Sequence, residues 1–137
     1  LGPVYQAGTL AGNPIAMAAG VATLEALRSP GAYEALEEMS ARLEGELRAA
    51  AAEAGVPVTM NRVGSLFCLF FAEGPVEDFA SAREADAGCF TRYFHAMLDE
   101  GINLAPSPFE AGFVSLAHTG EDVAVTGAAA RRACRAV

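Results

Sequence analysis

A chain of 137 residues with 53% hydrophobic and 19% charged side chains is too apolar to be a disordered polymer, and its length suits one domain. Such a domain buries roughly 65–70% of its unfolded surface. No run of about 20 apolar residues is free of charge, so no membrane-spanning helix is expected. Nine basic against 17 acidic groups give a net charge of -8, which phosphate backbones repel, so nucleic acid is not an expected partner. All nine cations are arginine, and lysine is absent.

Residues 1–12 read as a loop rich in glycine. Asn13-Pro14 then predicts a helix start, because Asn accepts from the first free N–H groups and Pro tolerates the first helical turn. The helix over 14–28 is apolar and small on every side, which demands surrounding protein. Ser29-Pro30 opens a second helix, 30–54, with Leu36, Met39, Leu43 and Leu47 in one stripe and acids and arginines elsewhere. Gly55 ends it and Pro57 prevents continuation.

Val56 to Val63 reads as a strand, Gly64-Ser65 as a turn, and Leu66 to Ala72 as a strand buried on both faces. Gly74-Pro75 ends that strand. A third helix is expected over 86–100, with Phe90, Tyr93, Phe94, Met97 and Leu98 on one face and Gly101 closing it. The two prolines in 103–110 predict an irregular segment, and Gly112 to Ala117 another strand. Thr119-Gly120-Glu121-Asp122 reads as a helix cap with acids in the first turn. The last helix then ends on Arg131, Arg132 and Arg135, where the helix dipole favours cations. This order predicts an α+β layer: a short, mainly antiparallel sheet with helices on one face.

The opening Leu1-Gly2-Pro3 is neither an initiator Met nor a signal peptide, so a processed chain or a piece of a longer one is expected. Cys68, Cys89 and Cys134 form no CxxC pair and read as buried free thiols of a reducing cytoplasm. His95 and His118 lack a partner at zinc-ligand spacing, so no metal site is expected and both read as structural. The remaining candidate is Gly8-Thr9-Leu10-Ala11-Gly12-Asn13-Pro14. Small residues there permit close backbone approach and Thr9 offers a hydroxyl. An anion such as phosphate would sit at the loop, since Asn13 competes for the helix N–H groups. A plain tight turn into a helix is the alternative.

Tyr5 to Gly20 resembles the signature segment of the glutamate-1-semialdehyde 2,1-aminomutases, pyridoxal-phosphate (PLP) enzymes of the class III aminotransferase group. Gly64 to Phe71 and Leu104 to Thr119 resemble the same family, in the same order. Two positions depart from it. Ala11 replaces a common Ser, which removes one hydroxyl, and Pro108 replaces a common Gln, which stiffens the loop before Glu110.

The resemblance implies the aspartate-aminotransferase-like PLP fold (fold type I), a cytoplasmic homodimer, and conversion of glutamate-1-semialdehyde to 5-aminolevulinate, a tetrapyrrole (porphyrin) precursor. It implies a C-terminal part: residues 1–28 as the end of the large PLP-binding domain and connecting helix, and 29–137 as the small α+β domain. Gly8 and Thr9 match the position that reaches the phosphate of the partner subunit's PLP. Glu110 matches a carboxylate facing the active-site region, where it orients the substrate amine or gates loops. The lysine that holds PLP as a Schiff base lies outside this chain, so no catalytic residue is assigned and the chain alone is expected to be inactive. Two other readings stand beside this one: another class III aminotransferase, favoured less by Phe109-Glu110-Ala111-Gly112-Phe113, and a non-catalytic α+β dimerisation or binding module, opposed by the all-apolar first helix.

Overall fold

The structure is a computed structural model that describes residues 7–137. It divides into two compact units, one ending at Tyr33 and the other beginning at Glu34. In the first unit, α1 (Pro14–Leu27) starts as the sequence predicts, with the Asn13 side-chain oxygen Oδ1 accepting from the N–H groups of Ile15 (3.0 Å) and Ala16 (3.3 Å). None of its residues is buried, although Ile15, Met17, Val21 and Leu24 are large and apolar.

The second unit holds most of α2 (Ala32–Ala54), β1 (Thr59–Val63), β2 (Leu66–Phe70), α3 (Phe79–Glu84), α4 (Ala87–Asp99), β3 (Gly112–Phe113) and α5 (Gly120–Ala133), with a final 3-10 turn at Cys134–Ala136. The fold class is α+β, with a three-stranded antiparallel sheet in the order β1-β2-β3. Met60 pairs with Leu69 and Arg62 with Phe67, so these four side chains share one face of the sheet. Met60, Phe67 and Leu69 meet Leu43 and Leu47 of α2, Phe90, Tyr93 and Met97 of α4, and Val123 and Ala130 of α5 in one core.

The helix ends explain why the α2 and α4 boundaries were legible. Gly55 and Gly101 both take left-handed backbone, with φ of +68° and +83°. The N–H of Val56 reaches back to the Ala51 carbonyl (3.0 Å), and that of Ile102 to the Met97 carbonyl (2.9 Å). Both are Schellman closures, in which glycine spares the Cβ clash of that conformation. Gly127 has a different duty. A Cβ there would stand 3.0 Å from the Glu46 Cβ, so only glycine lets α5 approach α2 this closely.

Four expectations need correction. β2 is not buried on both faces: only Phe70 of its five residues is buried, and Leu66 is exposed. The segment after it runs against neighbouring β1 instead, tied down by Thr59 Oγ1 donating to the Gly74 carbonyl (2.6 Å) and Asn61 Nδ2 to the Val76 carbonyl (2.7 Å). The expected strand 112–117 shrinks to Gly112–Phe113, because a turn held by His118 and Ser115 interrupts it. The short helix α3 has no counterpart among the expected elements, although Asp78-Phe79-Ala80-Ser81 forms a reciprocal capping box. Finally, Leu98 is 46% exposed and does not share the buried face of Phe90, Tyr93 and Met97.

Arg62 fastens the sheet to α2. Its guanidinium donates to Glu44 Oε2 (2.8 Å), Glu37 Oε1 (2.8 Å) and the Gly64 carbonyl (2.9 Å). The hydrogen bond from Arg62, with a second from Arg48, holds the Glu44 carboxyl below its ordinary value of 4.5. A lowered folded pKa adds stability that is complete above the unfolded value and disappears as pH falls through the folded one. Arg62→Met is therefore expected to lose about 1–3 kcal/mol near neutral pH. The difference from the parent should shrink as pH falls from the ordinary carboxylate value of 4.5 through the lowered value of folded Glu44. Urea titrations across that range check it, and a pH-independent difference would remove the ion pair as its cause.

Candidate functional site

Gly8 and Thr9 lie together in the turn before α1, both exposed. The Gly8 carbonyl accepts from the Ala11 N–H (3.1 Å) and the Leu10 carbonyl from the Asn13 N–H (3.0 Å). Gly12 makes the sharp exit with φ of +75°, a conformation that side chains disfavour. Because the Asn13 side chain already takes the Ile15 and Ala16 N–H groups, α1 presents no free first-turn donor at those two positions. An anion at this end would have to be met by the turn and the Thr9 hydroxyl, as the sequence suggests. Tyr5 and Gln6, which also carry the family resemblance, lie outside the described residues.

Glu110 belongs to the other unit, at the rim of a cleft of about 420 Å³. The floor is apolar, made by Leu43, Leu47, Phe67, Phe90 and Tyr93, and the rim carries Ser107, Glu110, His118 and Asp122. No arginine lines it. A greasy floor with a few convergent polar groups is the usual make-up of a small-molecule site, and a rim with acids but no cation suits an amine better than an acid.

The loop that carries Glu110 is held at several points. The Ser107 hydroxyl accepts from the Phe109 N–H (3.2 Å) and the Ser107 carbonyl from the Glu110 N–H (3.1 Å). Two residues on, Gly112 pairs with Phe67, whose ring atoms would stand 2.5–2.9 Å from a Cβ at that position. Only glycine lets β3 sit on this ring.

His118 was expected to have a structural hydrogen bond, and its Nδ1 accepts from the Ser115 N–H at 2.9 Å. That bond places the proton of a neutral imidazole on Nε2. Asp122 is the capping acid: it accepts from the Thr119 hydroxyl and N–H, both at 2.7 Å. Those bonds lower its pKa. In the sequence Asp122 reads only as part of a cap; nothing in its spacing places it on the same cleft as Glu110. Among the described residues, no three His, Cys, Asp or Glu side chains come together as a metal site, and His95 is exposed. No described helix is long and apolar enough to cross a membrane.

No family profile matches the chain. It is 57% identical over 134 residues, 97% of its length, to glutamate-1-semialdehyde 2,1-aminomutase of Thermus thermophilus, and 56% identical over 99% to that of Myxococcus xanthus. Over nearly its whole length, then, the chain is similar to the glutamate-1-semialdehyde 2,1-aminomutases. It spans about a third of those relatives, 32% of each, and matches their C-terminal part.

Solved structures agree on the fold. A transaminase with PLP bound superposes with a TM-score of 0.74 at 25% identity, over 96% of this chain and 29% of that one. A β-phenylalanine aminotransferase from Variovorax paradoxus gives 0.71 at 33%, over 96% and 30%.

Proposed function

We propose that this chain is the C-terminal part of a PLP-dependent enzyme that converts glutamate-1-semialdehyde to 5-aminolevulinate for tetrapyrrole synthesis in the cytoplasm. The identity of 57% across 97% of the chain carries this reading. Residues 1–28 complete the large domain and its connecting helix, and 29–137 form the small domain. The exposed apolar side chains of α1 support it, since such a helix is stable only when further protein covers it.

PLP, when bound, supplies the electron sink for the bond changes next to the substrate nitrogen. This chain's share is binding and orientation. Thr9 donates its hydroxyl to the cofactor phosphate held by the partner subunit of a homodimer, and the Gly8 turn lets the backbone come close. Glu110 accepts from the substrate amine and fixes its direction over the cleft. The principal proton transfer belongs to the lysine outside this chain.

The test is an assay of the full-length enzyme with glutamate-1-semialdehyde and no second amino donor or acceptor. Formation of 5-aminolevulinate supports the aminomutase. A strict need for an acceptor assigns the chain to an intermolecular aminotransferase instead. In the same enzyme, Thr9→Ala is expected to weaken PLP binding about ten- to a hundredfold, the loss of one charged hydrogen bond of roughly 1.5–3 kcal/mol. Equilibrium dialysis measures it, and unchanged affinity takes Thr9 out of the site.

A further inference from the structure

Two large aromatic side chains touch where the core cannot account for them. Phe79 is 69% exposed and Phe109 is 53% exposed, yet their ring centroids lie 5.9 Å apart with the planes inclined at 50°. Phe109 immediately precedes Glu110. We propose that Phe79 is a positioning residue: by clasping Phe109 it fixes the direction in which the Glu110 carboxylate enters the cleft. The inference rests on the reading of Glu110 as an amine-orienting group.

The clasp is rigid on both sides. Phe79 opens α3, whose first turn is locked by the Ser81 N–H donating to Asp78 Oδ1 (2.8 Å) and the Asp78 N–H donating to the Ser81 hydroxyl (3.1 Å). The segment before α3 is pinned to β1 by Thr59 and Asn61. On the far side, the Ser107 turn binds the amides of Phe109 and Glu110. A movement of the Phe109 ring is therefore passed to Glu110 with little slack. Without the clasp, Phe109 and Glu110 are held only by the Ser107 turn on one side and the Gly112 pairing on the other. An aromatic pair of this geometry is expected to change the population of the held loop about three- to tenfold.

The experiment uses the full-length PLP-bound enzyme with Phe79→Ala, Phe79→Tyr and Glu110→Gln. Phe79→Ala should exchange the Phe109 and Glu110 amides about three- to tenfold faster and raise KM for glutamate-1-semialdehyde by a similar factor. PLP affinity should stay unchanged, and Phe79→Tyr should restore both readings. Unchanged amide exchange in Phe79→Ala overturns the clasp. Faster exchange with an unchanged KM, while Glu110→Gln does raise KM, shows that Phe79 does not act through Glu110. If Glu110→Gln leaves KM alone, the reading of Glu110 fails and the positioning role falls with it.

Discussion

Mixed with PLP, this chain is expected to show no absorbance band from a lysine-bound cofactor and no conversion of glutamate-1-semialdehyde. The reason is compositional. A covalent link to the PLP aldehyde needs a nucleophilic amine, and a protein side chain supplies one only as the neutral form of lysine. All nine cationic side chains here are arginine. A guanidinium stays protonated at any working pH and has no lone pair to offer. The only other amine is the α-amino group of Leu1, and acetylating it separates the two sources. A band that survives acetylation would contradict this account. The converse control adds the lysine-bearing remainder of the family polypeptide, where a band should appear.

The elements that sequence made legible are those fixed locally. The α1 cap, the glycine closures of α2 and α4, and the Thr119 box of α5 each place the required side chain within a few residues of the backbone group it satisfies. What escaped was decided at a distance. The real extent of β3 depends on the His118 imidazole capturing the Ser115 N–H, and the exposure left on β2 goes with a following segment that is tied to β1. α3 is signalled locally but faintly, since its Asp78-to-Ser81 box opens only six residues with no apolar stripe.

The site divides the same way. Gly8, Thr9 and Glu110 came from resemblance, whereas the cleft beside Glu110 is assembled from residues more than sixty positions apart. No spacing rule brings Leu43, Phe67 and Asp122 together. The Phe79–Phe109 contact joins positions thirty apart and leaves both rings partly in water, so neither periodicity nor burial marks it beforehand.

Met97→Ala is expected to be the most damaging single change to the fold, at about 2–5 kcal/mol. Met97 has no exposed surface and lies in the core shared by α2, the sheet, α4 and α5. Its backbone also closes α4, accepting from the Ile102 N–H at 2.9 Å. Truncation leaves a void that Tyr93 and Ile102 fill only by shifting, and close-packed interiors resist such shifts. A domain of this size has about 5–15 kcal/mol in total, so the loss is a large fraction of its stability. Met97→Leu conserves volume and should cost under about 1.5 kcal/mol. Leu98→Ala, one position along the same helix but 46% exposed, should cost under about 1 kcal/mol. Urea denaturation of the three variants beside the parent gives the ranking. If Met97→Ala proves as mild as Leu98→Ala, the core does not run through α4 as described.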